Sequence, residues 1–548
     1  MSLVSPGALA QSPAPSQQEL NPAARVPEQQ GGTAARGDLL SPPEPGPCVF
    51  KEPGKDSAPF ALTGVEFTGA DQISPADLEA AYAGYVGKQV RASSLCDIRD
   101  RAASILFRKG ILARVEIPAQ TIKGGLITLE VIAAYVAGVD VHGDVGPARS
   151  KVAQYIEMLR GMRPFDINKA QRYLFLASDV PGIHNAATLK PSPRGRGAIT
   201  LDISVTREAW NALVNVQNLG SEETGPFGAL ARVDFNSFTE LGDRTTLVAY
   251  STFELSEQTV IQGIEEIRLG SEGLLARLSV AWGMTRPGAS LAVLGINGRS
   301  LVAEAGLSYP VIRSRRLNLN VGGGLDIIMQ NVNVASIVPL TRDNLRVATL
   351  NANGSYAWRD GIPGSAGLGI ELRHGLDILG ASHAGDLLNS RVQGRPDAFV
   401  LRSDGQLTLN WLPYLSTYVG FSAQYADHPL LAYEELAVGN LTIGRGYDPS
   451  VISGDRGAEG TFELRLGQFP IYRRITVGIL GFYDIAAIEN LDTGGLNRTL
   501  HSVGGGLKFQ IGPHIHLDLT YAHPLSKITP FAVAPPDDSV LVSLTVGL

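Results

Sequence analysis

The sequence predicts a transmembrane β-barrel of about 16 antiparallel strands, preceded by two small α/β domains. From about residue 208 onward, apolar and polar residues alternate in segments of about ten, separated by Gly, Pro, Asn and Asp. Before residue 208, the order strand, helix, helix, strand, strand occurs twice. The chain contains no run of about 18 apolar residues, so a transmembrane helix is not indicated.

Length and charge narrow the possible classes of protein. A chain of 548 residues is too long for one ordinary compact domain. Its net charge of −7 argues against a nucleic-acid-binding protein. The only cysteines are Cys48 and Cys96, which fit a disulfide in an oxidising compartment or two unpaired buried thiols.

Residues 1–47 are rich in Pro, Gln, Ala and Gly and are predicted to form a flexible segment. Ala8-Leu9-Ala10 resembles a signal-peptidase site, although no basic region or full apolar region precedes it. The segment is therefore either the remnant of a signal peptide or a plug for the pore. Its prolines make it a poor helix former.

Residues 48–133 are predicted to form the first α/β domain. The stretch FALTGVEFTG, from Phe60, reads as a strand, and Ser74-Pro75 then opens a helix with Ser as its N-cap. A second, amphipathic helix ends near Gly110, and the strands LARVEIPAQ and GGLITLEVIA follow.

Residues 134–207 repeat this order and are predicted to form the second α/β domain. YVAGVDVHGDV reads as a strand, ARSKVAQYIEMLRG and INKAQRYLFLAS read as helices, and GAITLDISVT reads as the closing strand. An unpaired strand edge on such a domain could bind an extended chain by β-augmentation.

Residues 208–548 are predicted to form the barrel. In the last segment, Val540, Val542, Leu544 and Val546 alternate with small or polar residues. Strands of a soluble β-sandwich are usually about five or six residues long, whereas about ten residues are needed to cross a bilayer at a tilt. An even number of such strands can close without an unpaired edge, and sixteen enclose an aqueous lumen.

Several local motifs occur in a fixed order along the chain, and together they resemble the TpsB transporters of two-partner secretion. These are the haemolysin secretion/activation proteins of the ShlB/FhaC/HecB type, in the outer-membrane assembly factor superfamily, whose small domains are called POTRA domains. The motifs are Pro118-Ala119-Gln120, Asp179-Val180-Pro181-Gly182, Gly444-Arg445-Gly446-Tyr447 and Gly481-Phe482-Tyr483-Asp484.

The resemblance implies that a long loop folds back into the pore and that Arg445 at its tip contacts Asp484 on the inner wall. The alternation around Asp484 agrees, because Ile475, Val477 and Ile479 form the opposite, apolar face. Gly444 and Gly446 allow a tight turn beside the arginine and Tyr447. A guanidinium suits a bidentate contact with a carboxylate, which lysine would not reproduce.

The sequence offers little support for an enzyme or a cofactor. It contains no nucleophile elbow, zinc-protease motif, P-loop or Rossmann glycine set. His514, His516 and Asp518 share one face of a strand and could bind a metal. Polar lining of the lumen explains them better, so no catalytic residue, cofactor or metal is predicted.

The resemblance implies an exporter that binds a secreted exoprotein, a TpsA-like haemolysin or adhesin, through its POTRA domains and passes it unfolded through the pore. Export could also activate that partner. The protein would lie in the outer membrane of a Gram-negative bacterium with its N-terminal domains in the periplasm. Its other partners would be membrane lipid and the barrel-assembly machinery. The alternatives are an assembly factor that inserts other barrels and a passive porin.

Overall fold

The computed structural model describes residues 14–21, 25–26, 47–52, 56, 58–69, 73–335, 338–492, 498–528 and 534–548. Ala8-Leu9-Ala10 lies outside these residues. The chain divides into two compact units, one of residues 33–207 and one that joins residues 1–32 to residues 208–548. Among the described residues, no helix is long and apolar enough to cross a membrane.

A single-turn helix, α1 (Gln17–Leu20), belongs to the unit that contains the barrel. Its start is fixed by a capping box, in which the Ser16 hydroxyl accepts from the Glu19 backbone N–H and the Glu19 carboxylate accepts from the Ser16 N–H. The capping box explains why a helical turn forms in a segment whose composition is otherwise unfavourable to helix.

The first α/β domain has the predicted order of elements, with one additional short strand pair. Its three-stranded sheet has the order β2–β5–β4, in which β2 is parallel to β5 and β4 is antiparallel to it. Ser74 occupies the N-cap position of α2, but its side chain makes no capping hydrogen bond. The elements are β1 (Phe60–Ala61), β2 (Gly64–Thr68), α2 (Pro75–Tyr82), β3 (Gln89–Val90), α3 (Ala92–Arg108), β4 (Ala113–Glu116) and β5 (Leu126–Ala133).

The Gln of the P-A-Q motif has a structural role in this domain. The Gln120 side chain accepts from the Thr128 N–H at 2.8 Å and donates to the Thr128 carbonyl at 2.7 Å. The amide therefore pairs with β5 as a backbone neighbour would. Gly125 lies in the turn before β5 with φ of +78°, a conformation that favours glycine.

The second α/β domain repeats this topology, with β6 parallel and β7 antiparallel to the central β8. Asp166 starts the second helix by accepting from the backbone N–H groups of Asn168 and Lys169. The elements are β6 (Tyr135–Gly143), α4 (Arg149–Glu157), α5 (Ile167–Ser178), β7 (Ile183–Pro191) and β8 (Ala198–Arg207).

Arg196, in the turn between β7 and β8, joins the two α/β domains. Its guanidinium donates to Glu130 at 3.0 and 3.1 Å and to Glu116 at 2.7 Å, both on the sheet of the first domain. The Ile167 N–H also donates to the Gly110 carbonyl at 2.7 Å. The two domains therefore share both ionic and backbone contacts.

The remaining strands form a closed antiparallel barrel of sixteen strands, as predicted. The first and last strands close it through five residue pairs, from Ser543 opposite Gln217 to Gly547 opposite Leu213. The strands are β9 (Trp210–Gln217), β10 (Gly228–Asn236), β11 (Arg244–Thr252), β12 (Gln258–Leu269), β13 (Leu274–Thr285), β14 (Asn297–Arg313), β15 (Leu317–Val334), β16 (Val338–Trp358), β17 (Gly364–Gly375), β18 (Phe399–Leu412), β19 (Leu415–Ala426), β22 (Arg456–Tyr472), β23 (Ile475–Glu489), β24 (Arg498–Ile511), β25 (Ile515–Pro524) and β26 (Ser539–Gly547), while β20 (Leu436–Val438) and β21 (Ile452–Gly454) form a hairpin in the loop after β19.

On the barrel strands, apolar side chains are exposed and polar side chains are buried, which is the opposite of a soluble protein. Large apolar side chains such as Leu247, Ile261 and Leu307 are exposed, whereas Asn215 and Asp484 are buried. Lipid is the favourable neighbour for the outer face, and the polar inner face surrounds the lumen.

The two ends of the barrel differ. At the end where β9 begins, turns are short, such as residues 413–414 and 473–474; at the other end lie the long loops 376–398 and 427–455. Exposed aromatic side chains surround the short-turn end, as they do at a membrane–water interface. They are Trp210, Phe238, Tyr309, Tyr356, Trp411, Tyr414, Phe469 and Tyr472.

Candidate functional site

The loop of residues 427–455, here called the transport loop, folds back as a hairpin against the inner wall of the barrel. Strands β20 and β21 pair within it, and its tip lies between them. The hairpin packs apolar residues against β23 and β24 of the wall. This cluster contains Leu436, Val438, Tyr447, Val451 and Ile452 of the loop with Ala486, Ile488 and Leu500 of the wall.

The structure brings the predicted pair Arg445 and Asp484 together at the loop tip. The guanidinium donates to both carboxylate oxygens, from Nε at 2.9 Å and from a terminal nitrogen at 2.6 Å. The Arg445 backbone N–H donates to the same carboxylate at 3.1 Å. Asp484 therefore holds both the side chain and the backbone of the loop tip.

Three further wall residues complete the contacts of Arg445. Its guanidinium donates to Glu463 at 2.6 Å and to Thr461 at 2.7 Å, and its central carbon lies 3.6 Å from the centre of the Phe482 ring. Burial alone lowers the pKa of Arg445, but the hydrogen bonds and charges of Asp484 and Glu463 outweigh it and raise the pKa. The arginine is therefore charged at physiological pH.

Gly444, Gly446 and Tyr447 fix the backbone around this arginine. Gly444 has φ of +136°, which a side chain would disfavour. A Cβ on Gly446 would stand 3.0 Å from the Ser502 Cβ, so the loop lies close against β24. The buried Tyr447 hydroxyl donates to the His501 carbonyl at 2.8 Å and accepts from the Ser526 backbone N–H at 2.9 Å, which ties the transport loop to β24 and to the loop after β25.

A second charged contact of the transport loop, at Glu434, does not follow from the motifs. The buried Glu434 carboxylate accepts two bonds from Arg373, at 2.8 and 2.9 Å, and one from Arg402 at 3.1 Å. Burial raises the pKa of Glu434, but these two arginines outweigh it and lower the pKa. The alternation of the sequence places two arginines of neighbouring strands on the lumen side. Because a buried arginine needs a carboxylate partner, this pattern could have predicted an acidic residue from another segment.

A third charged contact lies where the transport loop joins the barrel. Arg391 of loop 376–398 contacts three carboxylates: Glu435 and Asp455 of the transport loop, and Asp492 after β23. Asp455 also accepts from the backbone N–H groups of Leu430 and Leu491, both at 2.7 Å. Burial raises the pKa of Glu435 despite the neighbouring charge of Arg391.

Residues 14–21 and 25–26 lie inside the barrel. The Gln330 amide donates to the Pro15 carbonyl at 2.9 Å, and the Ser450 hydroxyl of the transport loop donates to the Ser16 hydroxyl at 2.9 Å. Leu20 packs where Gly283 leaves space on β13, since a Cβ there would clash with it. The segment therefore contacts both the wall and the transport loop.

Arg25 is buried and contacts both its own segment and the wall. Its guanidinium donates to the Glu19 carbonyl at 3.1 Å and to Gln258 at 3.0 Å, and lies 3.7 Å from the centre of the Tyr250 ring. The Gln258 amide donates in turn to Glu19 at 2.9 Å. A cavity of about 1240 Å³ remains between this segment, the transport loop tip and the wall.

The structure pairs Cys48 with Cys96 in a disulfide, which ties the start of the first α/β domain to α3. Close to it, a groove of about 1320 Å³ runs along α3 and β4 of the first domain and reaches the second. In the part of the chain that is described, no three His, Cys, Asp or Glu side chains are arranged to hold a metal.

Comparison with known proteins identifies the family. Residues 60–134 match the POTRA domain of ShlB type, and residues 196–509 match the family described as haemolysin secretion/activation protein ShlB/FhaC/HecB. The chain belongs to this family. It is an outer-membrane transporter of two-partner secretion, with POTRA domains on the periplasmic side.

Relatives and solved structures agree over most of the chain. The heme/hemopexin transporter protein HuxB of Haemophilus influenzae is 20% identical over 503 residues, covering 86% of this chain and 85% of HuxB. CdiB from Escherichia coli has a TM-score of 0.75 at 18% identity, covering 90% of this chain and 92% of CdiB. CdiB from Acinetobacter baumannii has a TM-score of 0.66 at 15% identity, covering 90% of each chain.

Proposed function

We propose that this transporter captures one large secreted protein in the periplasm through its POTRA domains and passes it unfolded through the barrel. The observation that carries the proposal is the groove beside β4. It is lined by the α3 face and by β4, which pairs with β5 alone in its sheet. An extended chain that adds to β4 would place alternate side chains in the groove.

The capture step is tested by photocrosslinking in intact cells. A photoreactive residue in place of Ile117, which lines the groove, should crosslink to the exported protein. The matched control is the same residue in place of Ala80, on the exposed face of α2 outside the groove. Equal crosslinking at both positions would show that the groove has no special role in capture.

The identity and number of the exported proteins are tested by comparing culture medium and outer membrane with and without this gene. We expect one or a few large proteins, of the haemolysin or adhesin class, to vanish from the medium while other barrels remain. A fall in many outer-membrane barrels would instead identify an assembly factor. No change in either fraction, with a partner expressed, would favour a passive pore.

We further propose that the N-terminal segment, through residues 14–21 and 25–26, acts as a plug of the resting pore and that Arg445 with Asp484 holds the transport loop during its closed state. Their contacts with the wall support this. Membrane lipid and the barrel-assembly machinery are the expected partners in biogenesis. Activation of the partner during export is tested by comparing the activity of the exported partner with that of the same protein retained in the periplasm.

A further inference from the structure

Apart from the Arg391 contacts where it joins the barrel, the transport loop is held to the barrel strands at two places by charges of opposite sign. At its tip, the loop contributes a cation, Arg445, to carboxylates on β22 and β23. At its base, the loop contributes an anion, Glu434, to arginines on β17 and β18. Strand β19, from which the loop leaves, lies between these two pairs of strands. The loop is therefore held on both sides of its own origin.

The base contact also holds the backbone of the loop. The Glu434 carbonyl accepts from Arg402 at 3.1 Å and from the Gln424 amide at 2.9 Å. With the two bonds from Arg373 and the one from Arg402 to the carboxylate, five donor contacts converge on this one residue. Charge-assisted, bidentate contacts of this kind are the strong ones, and both partners here are removed from water.

We propose that Glu434 is a second charged anchor of the transport loop, so that the loop leaves the lumen only when the contacts of both Glu434 and Arg445 are broken. Release of Arg445 alone would free the tip while the base remains against β17 and β18. Glu434 would thus be a positioning residue for transport, which acts by holding the loop and not by touching the exported chain.

The wall around Glu434 allows the anchor to be removed without leaving an unpaired charge. Arg373 also contacts Asp326 at 2.9 Å and Glu371 at 3.3 Å, and Arg402 lies 4.0 Å from Glu371. A Glu434→Gln change therefore leaves both arginines with carboxylate partners. A change at Arg373 would instead remove the ion pair of Asp326 and one arginine partner from both Glu371 and Glu434, so it is the poorer test.

The test uses a thiol reporter on the loop in the full-length protein in lipid nanodiscs. The chain has two cysteines, joined to each other, so Ala437→Cys introduces a single free thiol at a buried loop position. The rate at which it reacts with a bulky maleimide reports loop release. We expect Glu434→Gln to raise this rate at least fivefold, and Glu434→Gln with Arg445→Gln to raise it by about the product of the two single effects.

The matched control is Glu266→Gln, which changes a buried lumen-facing carboxylate on β12 whose partners, Arg244 and Arg277, belong to the wall and not to the loop. Its labelling rate should equal that of the parent. Glu434→Asp keeps the negative charge beside the two arginines, so we expect it to fold, but its shorter side chain moves the carboxylate away from them. Its labelling rate should lie between the rates of the parent and of Glu434→Gln. If folded Glu434→Asp and Glu434→Gln both label at the control rate, the proposal is wrong.

The inference rests on the barrel being the export channel, but its readout needs no exported partner. An altered labelling rate without a missing exoprotein would overturn the proposed cargo and leave the anchor standing. If an exoprotein is missing but labelling is unchanged in every Glu434 variant, the proposed cargo stands and the proposed anchor is wrong.

Discussion

The POTRA domains and the barrel use similar apolar residues in opposite places. In the first POTRA domain, Ile98, Leu106 and Leu129 are fully buried, whereas in the barrel Leu247 is half exposed and Asp484 is buried. The first pattern stabilises a domain by burial of apolar area. The second leaves a polar interior that must be filled by other polar chain segments. The transport loop is accordingly held to the wall by buried ion pairs as well as by its apolar cluster, and residues 14–21 and 25–26 are held mainly by hydrogen bonds.

The largest expected effect comes from placing an aspartate at an apolar position in a POTRA domain and at an apolar position on the outer face of the barrel. Ile98→Asp should cost about 4 kcal/mol or more, because it buries an unpaired charge. Leu247→Asp should also destabilise the barrel, by roughly 1–2 kcal/mol, although Leu247 is exposed, because its neighbour is lipid. Chemical unfolding of the purified protein, followed by domain-specific fluorescence, measures both.

Ala80→Asp is the control for these two variants, since Ala80 is exposed on a POTRA helix that faces water. We expect a cost of less than about 1 kcal/mol. A similar small cost for Leu247→Asp would contradict the assignment of the outer barrel face to lipid.

The next largest effect concerns the disulfide, which lies in the first POTRA domain and not in the barrel. Cys48 and Cys96 are separated by 48 residues, and closing such a loop in the unfolded chain stabilises the domain by about 4 kcal/mol. The double change to serine should lower the stability of the first POTRA domain by that order, while barrel unfolding stays unchanged. Equal shifts in both transitions would show that the two regions do not unfold separately.

Replacement of Arg445 should affect export far more than folding. Arg445→Ala should lower the amount of exported protein at least tenfold, because it removes every side-chain contact of the loop tip with Asp484 and Glu463. Arg445→Lys should recover only part of it, since an amine cannot make the bidentate contact. Quantitative immunoblotting of the medium measures export, normalised to folded barrel in the membrane.

Arg465→Ala is the matched control for Arg445→Ala. Arg465 is also a lumen-facing arginine that pairs with Glu463, at 2.6 Å, but it belongs to the wall and not to the loop. Its loss should change export less than threefold. If the two variants lose export equally, then export depends on the positive charge inside the lumen and not on the position of the transport loop.

The parts of the structure that could be predicted from the sequence have a periodic pattern or a family motif, and the parts that could not be predicted have neither. The sixteen strands follow from alternation, and Arg445 could be placed against Asp484 because a loop motif and a strand motif of the family occur together. Glu434 and Arg391 were missed because the path of an irregular loop has no periodicity. The helical turn Gln17–Leu20 was not predicted, and a plug remained one of two alternatives for residues 1–47, for a related reason: a single helical turn with a capping box has too few residues to show a pattern.

The smallest effect concerns Arg25, the residue that fixes the N-terminal segment inside the barrel. Arg25→Ala removes two hydrogen bonds and the contact with Tyr250. The Glu19 carbonyl belongs to the same segment, so only the hydrogen bond to Gln258 joins Arg25 to the wall. Because such a hydrogen bond contributes about 1 kcal/mol, the open fraction of the pore should rise by roughly threefold to tenfold. Single-channel recording in planar bilayers measures it. Arg232→Ala is the control, because Arg232 also lines the lumen cavity but pairs with Asp234 on its own strand.

Deletion of residues 14–26 decides how the Arg25 result is to be understood. If the deletion opens the pore and Arg25→Ala does not, the segment is a plug that is held by its other contacts, such as Leu20 against Gly283. If the deletion leaves the pore closed, the segment is not a plug, and the transport loop alone closes the lumen. In that case the anchors at Arg445 and Glu434 are the main charged contacts of the transport loop with the barrel strands, and their double variant should then give the largest conductance of the series.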